Sequence, residues 1–322
     1  MAGKCGCVSR MEKPKPKLLD ITRLLFIAVS FFSAIFAQAQ IKVEIASGAP
    51  VEGGVFFVNV QSDGNVPLAE VSGIFRDAKV EFIPLTNHQF GAFVGVEYGM
   101  DPGMVPLELK YRFQDETEFE KYNFEVSVVA SVFPSEKLRV PPRTIAPSAK
   151  DRVRIQRDNE AIRRAYATVT MKRFWSDSPV LPVNSQVTSV FGSSRVYNGK
   201  KTSAHLGTDL RAPTGTRIVA PTGGQVVLVR DTFYLGKTII VDHGFGVFTI
   251  YGHLSKTLVK PGKVVKTGQL LGLAGATGRV SGPHLHWAAH LNGVKVDPLL
   301  LMSAMETSLG KKSKESRWIA SP

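Results

Sequence analysis

The stretch Gly282-Pro283-His284-Leu285-His286-Trp287 constrains this 322-residue chain more than any other. On an extended segment successive side chains alternate, so His284 and His286 share one face while Leu285 and Trp287 point to the other. An imidazole face backed by an apolar face suits the floor of a metal site. A histidine pair alone also suits an ordinary solvated strand, so the rest of the chain must supply the further groups.

It supplies them within a Gly-rich, strand-like region from Leu181 to Leu300, with turn signals at Pro221-Thr-Gly-Gly224, Pro261-Gly-Lys263 and Thr267-Gly268. Into this frame fall His205-Leu-Gly-Thr-Asp209 and Tyr251-Gly-His253-Leu254. Three segments thus contribute potential ligands or acid/base groups, enough for a three-ligand zinc site with an open fourth position and two helpers. Four residues of straight strand span roughly 13 Å, too far for His205 and Asp209 to share an ion. The chain must bend between them, and Gly207 permits the bend; a loop entering a strand is expected. Around His253, alternation places Thr249, Tyr251 and His253 on one face and Phe248, Ile250, Gly252 and Leu254 on the other. No His-Glu-x-x-His helix is present, so a glutamate base of that kind is not expected.

Other polar residues carry less. His88 beside Asn87 and His243 within Asp242-His-Gly244 read as turn residues, and His290 lies about 13 Å along a strand from His286. Arg195, Tyr197 and Arg279 read as solvated. The glycines from Gly272 to Gly278 precede a strand rather than a helix, so they offer no helix N-terminus to a phosphate. Val259 to Leu270 resembles a biotinyl or lipoyl carrier hairpin but lacks a Met-Lys-Met turn.

Ahead of this region, residues 40–131 alternate with period two. Val105, Leu107, Leu109, Tyr111 and Phe113 form one arm of a hairpin, and Tyr122, Phe124, Val126 and Val128 the other. Further strands are expected at 42–46, 55–60, 69–75, 80–83 and 90–96. Seven short strands suggest an immunoglobulin-like β-sandwich without catalytic groups of its own. Its tether through a Pro-rich linker (132–175) suggests that it covers the cleft and inhibits it. Within the linker, Ser148-x-x-Asp151 starts a basic amphipathic helix from about Ala149 to Thr168. That helix is a candidate for contact with an anionic wall or membrane surface, the alternative being packing on a neighbouring domain.

The ends read differently. Lys13, Lys15, Lys17 and Arg23 precede an apolar run from Leu24 to Ala37, and Ala37-Gln-Ala39 is a small-x-small cleavage site, so residues 1–39 read as a signal peptide for export to the cell envelope, periplasmic or extracellular. Cys5 and Cys7 both lie ahead of that run, leaving the mature chain without a thiol nucleophile or a disulfide. The net charge of +13 is diffuse, with basic residues in the export segment, the linker and the tail. It suits anionic wall or lipid, and no nucleic-acid-binding motif accompanies it. Residues 301–322 suggest a short helix and a basic tail.

The set His205-x-x-x-Asp209, His253 in Tyr-Gly-His-Leu and His284-x-His286 in Gly-Pro-His-Leu-His-Trp resembles the lysostaphin-type zinc endopeptidases that cut peptidoglycan cross-bridges. The likeness extends through Val190-Phe-Gly192, Ala220 to Gly224 and Gly275 to Gly278. It implies a compact antiparallel β-sheet metallopeptidase domain over 176–300. It further implies His205, Asp209 and His286 as zinc ligands and His253 and His284 as the catalytic pair, with zinc activating the attacking water. His284 is the expected base and His253 the oxyanion stabiliser, the reverse assignment staying open. A wall-bound regulator without activity is the competing reading, but it would require a lost ligand, and every position is intact.

Overall fold

The computed structural model describes residues 40–64 and 66–309; the expected signal peptide, with Cys5 and Cys7, and the tail beyond Leu309 lie outside the described residues. The described N-terminal part contains β1 (Ile41–Ser47), β2 (Val55–Ser62), β3 (Leu68–Phe75), β4 (Ala78–Glu81), β5 (Ile83–Thr86), β6 (Gln89–Gly95), β7 (Gly103–Phe113) and β8 (Glu120–Val128). They form two four-stranded antiparallel sheets, ordered β1-β2-β6-β5 and β4-β3-β7-β8. The alternating residues of β7 and β8 bury Leu107, Leu109, Phe113 and Val126 against Phe56, Val58 and Val60 of the facing sheet. The single strand expected at 80–83 is instead two. The chain crosses between the sheets at buried Phe82, so β4 pairs with β3 and β5 pairs with β6.

The linker contains β9 (Ser135–Leu138) and α1 (Ala149–Tyr166). The helix begins where the capping residues predict. Ser148 Oγ accepts from the Asp151 amide at 3.2 Å and Asp151 Oδ2 accepts from the Ser148 amide at 3.4 Å, satisfying two otherwise orphaned donors. The C-terminal part follows with β10 (Val187–Ser189), β11 (Ser194–Tyr197), β12 (Lys201–Ala204), β13 (Thr208–Arg211), β14 (Arg217–Val219), β15 (Gly224–Thr232) and β16 (Gly236–Gly244). It continues with β17 (Val247–Thr257), β18 (Val264–Val265), β19 (Leu270–Ala274), β20 (His284–Leu291), β21 (Val294–Val296) and α2 (Pro298–Ser308). The main sheet runs β10-β13-β20-β17-β16-β15-β18, and its pairings are antiparallel.

Each face of this sheet is covered. On one face Leu285, Trp287, Tyr251, Val241 and Ile239 pack with α2 and with Trp175. On the other, Ile240, Phe248, Ile250 and Ala288 receive Ile162, Ala165 and Tyr166 of α1. The linker helix therefore docks on the neighbouring domain. Its buried Asp158 accepts from Arg230 Nε at 2.7 Å and from the Phe233 amide at 2.8 Å, which ties the helix to β15 and the turn after it. Arg152, Arg157 and Arg163 remain exposed.

The N-terminal sheets are not a free-standing module. Val55, Phe57 and Phe93 turn away from the sandwich interior and join the core that holds Trp175, Phe245 and α2. Strand β2 is thus buried on both faces, which is why Val55-Phe-Phe-Val58 is continuously apolar rather than alternating. Phe93 meets Phe57 at 4.9 Å and Trp175 at 5.9 Å between ring centroids. Removing residues 40–169 would strip one side of a shared core, so an isolated 170–322 fragment would expose Trp175 and the apolar face of α2.

His243 lies in β16, fully buried, not in the hairpin turn expected of it. Its Nδ1–H donates to the Gly223 carbonyl at 2.6 Å, because that oxygen can only accept. Its Nε2 therefore accepts from Thr249 Oγ1 at 2.7 Å, and that hydroxyl in turn accepts from Tyr251 Oη at 2.7 Å. Burial holds His243 at about 4, below the usual imidazole value of 6.5. The unfolded chain then takes up a proton below about pH 6.5 that the folded chain refuses until about pH 4, so stability falls as pH drops through that window. The shift corresponds to roughly 3 kcal/mol at most. Thermal unfolding between pH 7 and 4 should show this loss, with a shallower slope in His243→Gln; an unchanged slope would remove His243 from the account.

Candidate metal centre and its cleft

Strand pairing brings the predicted residues together. β13 lies beside β20 with Asp209 opposite His286 and Arg211 opposite His284, while Gly252 of β17 lies opposite His286 on the other side. His205 sits in the loop just before β13, as the spacing requires. His205 Nε2 is 3.0 Å from Asp209 Oδ1 and 3.1 Å from His286 Nδ1, and His286 Nδ1 is 2.9 Å from the same carboxylate oxygen. All three residues are buried.

Hydrogen bonding shows what these atoms want. His205 Nδ1 is 3.1 Å from the Val190 carbonyl, which only accepts, so the ring proton sits on Nδ1 and Nε2 presents a lone pair. A carboxylate oxygen and the second imidazole nitrogen complete a triangle of acceptors that can share at most one proton. Separations of 2.9–3.1 Å are close to the ~3.3 Å edge of a tetrahedron with bonds of ~2.0–2.1 Å to zinc. A cation fits this cluster better than internal hydrogen bonds do.

Gly207 has a second role besides the bend. It does not adopt a positive φ; a Cβ there would lie 2.6 Å from Cε1 and 2.8 Å from Nε2 of His286. Gly207→Ala is expected to push the His286 ring off its position and weaken metal affinity about 10–100-fold with the fold retained. Competition with a chelator of known affinity measures this, and unchanged affinity would show that the ring tolerates the methyl group.

Asp209 is held from behind by a residue that spacing did not reveal. Arg195, read from the sequence as solvated, has a side chain only 12% exposed and donates to Asp209 Oδ2 at 2.5 Å and to Ser189 Oγ at 2.7 Å. Its Nε also donates to Glu136 Oε2 at 3.2 Å, a residue of β9, which pairs in parallel with β11. Burial alone would raise the Asp209 carboxyl; contacts with His205 and His286 overcome it and hold the group well below its ordinary value. Oδ1 is thereby left for the histidines while Arg195 fixes Oδ2. Nothing in the local sequence marks Arg195, because its link to Asp209 depends on the β11–β12 hairpin folding over the loop.

His253 reaches the same centre by a backbone exception. Strict alternation would put it with Tyr251, but Tyr251 is fully buried in the core on the opposite face. His253 has φ +62°, and the pairing of β17 slips around it, so its ring turns back toward the metal face. Its ring centroid lies 4.8 Å from that of His284 and 5.7 Å from that of His286. His253 Nδ1 donates to the Thr277 carbonyl at 2.8 Å, and His284 Nδ1 donates to the Gly282 carbonyl at 2.9 Å. Each ring therefore leaves Nε2 free. Burial first, then the neighbouring imidazoles, hold His253 well below the usual imidazole range.

Asp209, His253 and His284 line a cleft of about 310 Å³ whose wall includes Glu136 and Leu138 of the linker together with Arg211, Arg279 and Pro283, while His205 and His286 line the adjoining cavity beneath α1. No residue of 40–131 lines it, nor the adjoining cavity beneath α1. The linker, not the N-terminal sandwich, borders the site. His290 is elsewhere, stacked on Tyr166 at 4.0 Å.

Comparison with known proteins gives concordant matches. Residues 203–298 match the model of peptidase family M23. Peptidoglycan DD-endopeptidase ShyA of Vibrio cholerae is 40% identical over 134 residues, covering 41% of this chain and 31% of its own length. ShyB of the same organism is 35% identical over 148 residues, covering 46% of this chain and 35% of its own length. The matched part thus spans about a third of these curated relatives. A Pseudomonas aeruginosa chain, its crystal structure described as an M23 peptidase, superposes with a TM-score of 0.60 at 30% identity, covering 80% of this chain and 97% of that one.

Proposed function

The chain belongs to peptidase family M23, and on that premise we propose that it is an exported zinc endopeptidase that hydrolyses peptide cross-links of peptidoglycan. The observation that carries the reading is the convergence of His205 Nε2, Asp209 Oδ1 and His286 Nδ1 beside two imidazoles with free Nε2 atoms. Those three atoms would hold zinc, with Arg195 and the Val190 carbonyl orienting Asp209 and His205. The ion when bound supplies a Lewis acid that activates water and polarises the scissile carbonyl.

The two remaining histidines divide the proton work. His284 Nε2 lies 3.6 Å from Asp209 Oδ2, so a hydrogen on it has a carboxylate beside it. His253 makes no carboxylate contact of this kind among the described residues. We therefore assign His253 Nε2 as the acceptor of the water proton and His284 Nε2 as the donor to the developing oxyanion, the reverse of the sequence-based expectation. Anchoring of each Nδ1–H to a backbone carbonyl fixes both rings: neutral His253 then presents a lone pair at Nε2, whereas His284 donates from Nε2 only as the imidazolium, with hydrogen on both nitrogens.

The N-terminal sandwich reads as immunoglobulin-like. Labelling β1 to β8 in turn A, B, C, C′, D, E, F and G gives sheet orders A-B-E-D and C′-C-F-G, which supports that assignment. Its shared core with the catalytic sheet supports a positioning role. Export is consistent with the relatives' action on peptidoglycan and with the basic-apolar pattern of residues 1–39.

The test is digestion of purified peptidoglycan by residues 40–322, zinc-loaded or chelated, with mass spectrometry of the products. Zinc-dependent fragments cut at peptide bonds support the reading, and their masses name the bond. Intact sacculi in the presence of folded, zinc-loaded protein would sink it.

A further inference from the structure

The loop joining β19 to β20 carries a cation that the reaction outlined above does not use. Its ends meet, with Gly275 bridged to His284 and the His284 amide 3.3 Å from the Gly275 carbonyl. Within this closed loop the Thr277 carbonyl anchors His253, His284 stands at the far end, and Arg279 lies between them. Arg279 is therefore placed by the same short segment that positions both reacting imidazoles.

The three arginines lining the cleft differ in what they are free to do. Arg195 is committed to Glu136, Ser189 and Asp209. Arg211 is exposed at the rim. Arg279 is half-buried, its amide donates to the Tyr234 carbonyl at 2.8 Å, and its guanidinium lies 4.5 Å from the ring centroids of both Tyr197 and Tyr234. Tyr197 itself is only 4% exposed, so this ring is a fixed platform rather than a mobile surface group. Aromatic contacts hold a guanidinium through its faces and leave its N–H edge open. Among the described residues no carboxylate or carbonyl accepts from that edge. A half-buried guanidinium, immobilised by rings yet lacking an acceptor, is preorganised for a planar anion.

Substrate chemistry supplies one. In a D,D-bond of peptidoglycan, whether in a cross-link or a terminal dipeptide, the carbon bonded to the amide nitrogen also bears a free carboxylate. That group sits two bonds from the nitrogen that leaves, and so only three bonds from the reacting carbonyl carbon. A glycine bridge has no such carboxylate next to an internal scissile bond. Resting on the peptidase reading above, we propose that Arg279, held by Tyr197 and Tyr234, receives this α-carboxylate and so selects D,D-bonds over uncharged peptide bridges.

The test uses two soluble muropeptide dimers, identical except that the carboxylate beside the cross-link is free in one and amidated in the other. Zinc-loaded wild-type protein should show a kcat/KM higher for the free acid by about ten- to a hundredfold, the range of one charge-assisted hydrogen-bonded pair. Arg279→Gln should lose most of that ratio, and Arg279→Lys should recover part of it as a point charge without the fork. Arg211→Gln should keep the ratio, which separates recognition from general attraction of an acidic substrate. Matching zinc content and unfolding midpoint would show that the variants keep the site. A wild-type preference that survives in Arg279→Gln overturns the proposal while leaving the peptidase reading intact. Failure of the wild type to cleave either dimer removes both.

Discussion

His286→Ala should reduce zinc-dependent cleavage of peptidoglycan by about a thousandfold or more, the scale of several kcal/mol of lost Lewis-acid stabilisation. The expectation follows from position. His286 stands in the middle of the sheet, paired to Asp209 on one side and Gly252 on the other, so its position is fixed by two neighbouring strands. Two donors would remain, His205 Nε2 and Asp209 Oδ1, short of the three protein ligands a catalytic zinc keeps. The same substitution should remove a folding penalty in acid. Burial, only partly offset by Asp209, holds metal-free His286 at about 4, so the wild-type apoprotein loses stability as pH falls from about 6.5 toward that value. His286→Ala should flatten that slope while leaving a cavity that lowers stability at neutral pH. Zinc titration by calorimetry, peptidoglycan digestion and apoprotein melting read the three effects. Retained tight zinc binding in the variant would mean that His286 is not a ligand.

The metal face was legible because it obeys short-range rules. His284, Leu285, His286 and Trp287 alternate along β20 as a strand demands, with Leu285 and Trp287 fully buried behind the imidazoles. The bend between His205 and Asp209 followed from the reach of an extended chain. The start of α1 followed from Ser148 and Asp151. What stayed hidden depends on contacts distant in sequence or on backbone exceptions. Period-two reasoning grouped His253 with Tyr251; only the left-handed backbone at His253 separates them, and an isolated histidine gives no warning of it. Arg195 became visible only when β9, β11 and β13 were assembled around Asp209. The sandwich strands were readable from alternation, but burial of β2 on its second face by Trp175 and α2 was not, because a run such as Val55 to Val58 does not say what covers it. His243 looked like a turn residue because it sits beside Gly244, whereas the turn begins just after it and the imidazole is part of a buried hydrogen-bond chain.

Substituting the two free imidazoles one at a time should separate their roles by pH profile more clearly than by rate. His253→Ala and His284→Ala should each lose roughly 10²–10⁴ in kcat/KM, the usual worth of a placed acid or base. With zinc content unchanged, such similar losses would not say which ring accepts the proton. A base must be unprotonated to act, so its titration shapes the acid limb of the profile, whereas losing a hydrogen-bond donor lowers the rate without removing that limb. Burial and neighbouring imidazoles hold His253 well below the ordinary range, so a base at this position should keep working below pH 6.5. His253→Ala is expected to erase the acid limb, and His284→Ala to keep it at a lower rate. Added imidazole should restore part of the activity of His253→Ala, since a small base can enter the cleft that the missing ring vacates. If instead His284→Ala loses the acid limb and His253→Ala retains it, the roles are exchanged. The 3.6 Å approach of His284 Nε2 to Asp209 Oδ2 would then belong to ligand positioning rather than to proton donation.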